Sequence, residues 1–133
     1  MKIKYLNAKQ VIEINKKTTR DSNDPFAVEN KGNLEHAINA VKYKYEGKED
    51  ALFLKAAYWL DMFANKGHVF AEGNKRTAIT STIAALELNK YVIDTENQDE
   101  LVEFVLEVSK GNNSLRNTKK WLEQRIKKRS QTR

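Results

Sequence analysis

At 133 residues, 40% of them hydrophobic, the chain can bury one domain core, and it is read as a single domain. The absence of cysteine excludes disulfides, thiolate metal sites and a cysteine nucleophile, and fits a reducing cytoplasm. A net charge of +6 and a pI near 9.4 admit an anionic ligand, an acidic protein or a nucleic acid, whereas no run approaches the ~20 apolar residues that a membrane span needs. Met1-Lys2-Ile3-Lys4-Tyr5 has no apolar stretch behind it, so no signal peptide is expected. One proline, few glycines and abundant Ala, Leu, Lys and Glu favour an all-α fold, a bundle of about six helices.

In chain order, Asn7 is placed to cap a helix that turns Ala8, Val11, Ile12 and Ile14 inward. Residues 18–32 are polar, hold the single Pro25 and lack periodicity, which reads as a long loop. Phe26 and Val28 in it are placed to pin the loop to the core. Asn33 is expected to cap the next helix, with Leu34, Ala37, Ile38, Val41 and Tyr45 on one face and Gly47 at its end. His36 reads as a surface residue of that helix, without a role.

Residues 50–65 are apolar nearly all round, as a central buried helix should be, and Gly67 ends them. Residues 74–88 form a helix whose small residues, Ala78, Ser81, Ala84 and Ala85, permit close packing against residues 50–65. Asn89-Lys90 reads as a turn, and Tyr91-Val92-Ile93 as an extended piece too small to define a sheet. Asn97 and Glu100 suggest a capping box that opens a helix carrying Leu101, Phe104, Val105 and Val108. Gly111 breaks it, and a last helix from near Ser114 buries Leu115, Trp121, Leu122 and Ile126. The domain is thus read as residues 1–126. Residues 127–133, rich in Lys and Arg, are read as a solvated basic tail.

The chemistry concentrates in Gly67-His68-Val69-Phe70-Ala71-Glu72-Gly73-Asn74-Lys75-Arg76-Thr77, between the two central helices. A helix starting at Gly73-Asn74 presents free N–H groups and the positive end of its dipole, a ready anion site. Lys75 and Arg76 in the first turn oppose that dipole unless an anion lies between them and the amides. Arg76 offers a planar fork for phosphate oxygens and Lys75 a point charge. Glu72 is a hard oxygen ligand for a phosphate-bound Mg²⁺, or else an i, i+4 partner of Arg76. His68 can take a proton near neutral pH, where a plain linker needs no imidazole. Phe70 alternates with His68 and Glu72 and should face inward as the loop's anchor.

The pattern His-x-Phe-x-Glu-Gly-Asn-Lys-Arg at residues 68–76 resembles the signature loop of the Fic/Doc family. Lys75, where most Fic enzymes carry Gly, resembles the Doc (death-on-curing) branch of toxins. So does Ile79, where Fic adenylyltransferases carry a second arginine. In length and order the resemblance runs over roughly residues 5–126. It implies that His68 is the catalytic base, that Glu72 holds Mg²⁺, and that Gly73, Asn74, Lys75 and Arg76 cradle phosphates. It also implies ATP as substrate. Fic enzymes pass AMP to a protein hydroxyl, whereas Doc-type members pass the γ-phosphate to a translation elongation factor.

Fic-fold enzymes are typically held off by a Ser/Thr-x-x-x-Glu-Gly/Asn segment. None of Glu29, Glu46, Glu72 and Glu96, the glutamates followed by Gly or Asn, has Ser or Thr four residues earlier. The resemblance to Doc therefore implies a separate Phd-type antitoxin. Two other classes compete: a catalytically inert binding module and a basic RNA-binding domain. Against the latter, the aromatics sit at core spacing and do not interleave with the cations.

Overall fold

Helix α1, Ala8–Asp21, starts at the expected cap: Asn7 accepts the Gln10 N–H (2.9 Å) and the Gln10 side chain accepts the Asn7 N–H (2.7 Å). The computed structural model describes residues 2–94 and 98–129. The helix runs further than the composition suggests and takes in Thr18–Asp21, so the following loop is residues 22–30. The inner face of α1 carries Val11 together with two buried polar residues, Asn15 and Thr19.

Helix α2, Lys31–Tyr43, begins earlier than expected. Asn30, and not Asn33, is its cap, accepting the Asn33 N–H at 2.9 Å. Tyr43 ends the helix, so Tyr45 lies outside it with φ +63°, and Gly47 comes four residues after the end. The expected stripe Leu34, Ala37, Ile38 and Val41 is buried. A buried lysine, Lys55, closes the C-terminal end of α2. Its ammonium donates to the carbonyls of Val41 (2.7 Å) and Lys42 (3.2 Å) and meets the Glu46 carboxylate at 3.2 Å. All three N–H donors are thus satisfied, which makes the burial tolerable.

Residues expected as one helix over 50–65 divide in two. Helix α3 is Ala51–Asp61, and Met62–Lys66 widens into a π-helical turn whose last bond runs from Gly67 N–H to the Met62 carbonyl, 2.6 Å. A Cβ on residue 67 would stand 2.6 Å from that carbonyl oxygen, which is why glycine ends the turn. Helix α4, Asn74–Leu88, has the bounds read from the sequence. The Trp59 indole of α3 donates to the buried Ser81 hydroxyl of α4 at 2.7 Å, so the small residue makes both room and a bond.

Helices α5, Gln98–Ser109, and α6, Leu115–Arg125, complete six helices among the described residues. The proposed cap at Asn97 lies outside those residues. The Phe104 ring of α5 stacks on the Trp121 ring of α6 with centroids 4.0 Å apart, and the Arg125 guanidinium covers the other side of Trp121 at 4.1 Å.

The elements at the C-terminal end differ from the expected ones. Tyr91–Ile93 forms a strand, β1, and Ile126–Lys128 forms β2, paired antiparallel with Tyr91 opposite Lys128 and Ile93 opposite Ile126. Ile126 therefore leaves the last helix for this ribbon, and Lys127 reaches Asp94 at 2.6 Å. The start of the basic segment is held in a ladder and is not frayed. Leu34, Ala57, Leu60, Phe63, Val69, Phe70 and Leu122 join in one continuous core. No helix of the described residues is long and apolar enough to cross a membrane.

Candidate active site

The loop between the π-helical turn and α4 is fastened at nearly every residue. The Asn33 side-chain amide donates to the Gly67 carbonyl (2.6 Å), and the Glu29 and Asn30 N–H groups both donate to the Val69 carbonyl (2.8 and 3.0 Å). The chain on both sides of His68 is thereby clamped, at the carbonyls of Gly67 and Val69, from the N-terminal end of α2 and the residues before it. Between them His68 takes φ +46°, a left-handed conformation costing a non-glycine residue about 1–2 kcal/mol. The clamps hold the arch, and the imidazole is exposed at its crest.

Val69 and Phe70 are buried, and a short bridge from Val28 to Phe70 ties loop 22–30 to this one. Val28 therefore pins its loop, while Phe26 is left partly exposed. The Asn74 side chain closes a ring on Phe70, donating to its carbonyl at 2.7 Å and accepting its N–H at 3.0 Å. Asn74 was expected among the phosphate-cradling residues. Its side chain is occupied in shaping the loop, which leaves its backbone amide for that purpose.

Gly73 turns the chain into α4 at φ +76°. A Cβ there would lie 3.1 Å from Thr18 Cγ2 and 3.2 Å from Asn15 Nδ2, so both the dihedral and the space demand glycine. Replacing Gly73 with alanine should lower stability by about 1–2 kcal/mol in thermal or urea unfolding. Gly32→Ala is the control: its Cβ would meet nothing nearer than Asn30 Oδ1 at 3.6 Å, in a helix, and it should be neutral or stabilising.

Beyond Gly73 the first amide bonded back along the chain is Thr77 N–H, to the Gly73 carbonyl at 2.9 Å. The N–H groups of Asn74, Lys75 and Arg76 have no acceptor among the described residues, as the first turn of a helix requires. Buried Asn15 supports the turn from beneath, donating to the Glu72 carbonyl (2.8 Å) and the Thr77 hydroxyl (3.0 Å).

Arg76 does not pair with Glu72. It meets the Asp24 carboxylate at 3.2 Å and the Thr18 carbonyl at 3.5 Å. Asp24 is held below the usual carboxylate range, first by the Ser22 hydroxyl that it accepts and then by Arg76. A negative group there also offsets the cost of a cation at the positive end of α4. Glu72 is exposed and makes no ion pair among the described residues.

His68, Glu72, Gly73, Asn74, Lys75 and Arg76 all line one cleft of about 720 Å³, with Ala64, Asn65 and Ala71 beside them. Leu106 and Ser109, near the C-terminal end of α5, and Lys110 just after it also line the cleft. The cleft has the volume of a small-ligand site and presents an imidazole, a carboxylate, two loop cations and unbonded amides together.

Sequence reading missed Asn15, Asp24 and Asn33 as supports. Asn15 and Thr19 had a signal, being polar residues in the i, i+4 stripe with Val11 that proved to be the inner face of α1. Asp24, Asn33 and the α5 residues had none.

Residues 4–86 match the model of the Fic/DOC family, and the chain belongs to that family. Its members are generally transferases that use a nucleotide to modify proteins, by transfer of AMP or phosphate. Comparison with curated proteins returns no match.

Proposed function

We propose that this chain is a Doc-type protein kinase, the toxin of a toxin–antitoxin module. It passes the γ-phosphate of ATP to a Ser or Thr hydroxyl of a translation elongation factor in the cytoplasm. The observation that carries the reading is the meeting, in one cleft, of three unbonded helix-start amides, Lys75 and Arg76 with an exposed histidine. Helix-start amides and cations make a phosphate seat, and a histidine beside it is suited to act as general base.

In this reading His68 takes the proton of the target hydroxyl. The oxygen bonds to the γ-phosphorus, the bond to the bridging β–γ oxygen breaks, and ADP leaves. Amides 74–76, Lys75 and Arg76 hold the phosphate oxygens as charge develops on them. Glu72 suits a Mg²⁺ held mainly by substrate phosphates, because such an ion needs one or two carboxylates and no protein cage. Among the described residues no group of three or more His, Cys, Asp or Glu could hold a metal, and Glu72 stands as a single carboxylate. When bound, the ion would neutralise phosphate charge.

Phosphate transfer is preferred over AMP transfer because Ile79, one turn after Arg76, packs partly buried against the core where a second phosphate-binding cation would stand. The absence of a Ser/Thr-x-x-x-Glu inhibitory segment supports control by a separate Phd-like antitoxin. Incubation with cell extract and radiolabelled ATP tests the chemistry. Label from the γ position should appear on a target protein. Label from the α position alone would establish AMP transfer and overturn the kinase reading.

A further inference from the structure

We propose that a second, small recess, lined by residues 3–6 and by α3 and α4, binds a small amphiphile. That ligand is an aliphatic body of about four or five heavy atoms with one hydrogen-bonding atom, which Thr82 holds. The recess shares no lining residue with the cleft, so the inference stands apart from the nucleotide reading.

The recess offers about 40 Å³ of room, where one water molecule needs roughly 10–15 Å³. Leu6, Val41, Ala56, Trp59 and Leu86 line it, and all are buried. One wall is the segment before α1, which Asn89 fastens at both backbone groups of Lys4. Lys4 N–H donates to the Asn89 side-chain oxygen (2.8 Å), and the Asn89 amide donates to the Lys4 carbonyl (2.9 Å). The recess shares Ile3, Tyr5 and Leu52 with an open hollow of about 830 Å³, which gives a ligand its way in.

Three polar side chains in the lining are buried: Lys55, Thr82 and Asn89. The Lys55 ammonium is fully engaged at the end of α2. The Asn89 amide also serves the Ala85 carbonyl, at 2.8 Å. Thr82 differs from both. It is 2% exposed, and its hydroxyl oxygen has no hydrogen-bond partner among the described residues. The adjacent Ser81 returns its hydroxyl to the Thr77 carbonyl at 2.6 Å, the usual recourse inside a helix. Thr82 makes no such bond. A buried hydroxyl left unpaired is costly, and a polar atom in the recess would complete it.

The lining also selects the kind of occupant. A resident water needs about two to four polar partners, and the buried side chains leave one free. An aliphatic molecule with a single polar atom needs only that one, and its body meets apolar walls. The hydroxyl both donates and accepts, so an alcohol and a small carbonyl compound satisfy it alike.

Trp59 supplies the readout, because it lines the recess and its indole N–H is held by Ser81, next to Thr82. Trp121, stacked on Phe104 and outside the lining, is the internal control. 1-Butanol is titrated into the full chain, and the two indole N–H resonances are followed, assigned with Trp121→Phe. The Trp59 resonance should shift and saturate at millimolar alcohol while that of Trp121 stays in place. Thr82→Val should weaken butanol about three- to tenfold and, without alcohol, raise the thermal midpoint by about 2–4 °C, because an unpaired hydroxyl is gone. Ala85→Leu should fill the recess and abolish the saturable shift. Absence of a saturable Trp59 shift in the parent chain, or unchanged affinity in Thr82→Val, would overturn the site. A lowered midpoint in Thr82→Val would show that water already pairs with the hydroxyl, and would overturn it as well.

Discussion

His68→Ala should lower the rate of label transfer from ATP by about 10²–10⁴-fold while leaving the unfolding midpoint near that of the parent chain. The imidazole is exposed and carries no core packing, so its removal opens no cavity. Nucleotide affinity should also persist, because the amides of residues 74–76 and both loop cations remain. His68→Gly sharpens the test. A non-glycine at φ +46° carries about 1–2 kcal/mol of strain, and glycine relieves it at an unfolded-state cost of about 0.5–1 kcal/mol. That variant should therefore be inactive and at least as stable as the parent. Retained transfer in either variant would remove His68 from the chemistry.

Phe70→Ala should cost about 3–5 kcal/mol in urea unfolding, a large share of the roughly 5–15 kcal/mol that holds a domain of this size. Phe70 is 2% exposed within the continuous core, and its backbone is held by both the Asn74 ring and the Val28 bridge. The bridge and the ring tie two loops to the backbone of this one residue, so a void under it should loosen the arch that carries His68. Activity should fall with stability, unlike in His68→Ala. Phe26→Ala in the neighbouring loop is the contrast, at about 1 kcal/mol or less, because that ring is already partly in water. A loss under about 1 kcal/mol at residue 70 would show that the loop does not hang from this anchor.

Much of the framework around the cleft was legible in the sequence because its elements are local. The stripe Leu34, Ala37, Ile38 and Val41 repeats at helical spacing, and it is buried. Gly73, followed by amide-rich and cationic residues before an apolar run, announced a helix start, and α4 begins at Asn74. Boundaries failed where two local signals competed. Asn30 and Asn33 are both good caps, and the one left over turned its side chain to Gly67. The apolar run over 51–66 carries no mark of a change from α to π spacing, since the widened turn follows from how its end meets Gly67.

The sequence by itself determined the helical class, the run of apolar faces, the glycine that opens α4 and the residue types gathered in the loop. These follow from spacing, capping and side-chain chemistry, which act over a few residues. Only the tertiary structure decided that Asp24 meets Arg76, that Asn15 supports Gly73 from below, that Ile126–Lys128 pairs with Tyr91–Ile93, and that residues of α5 line the cleft. Each of these joins residues tens of positions apart. Such a contact is chosen by how whole helices pack, and a surface aspartate or lysine looks the same in sequence whether its partner is water or the far side of a cleft.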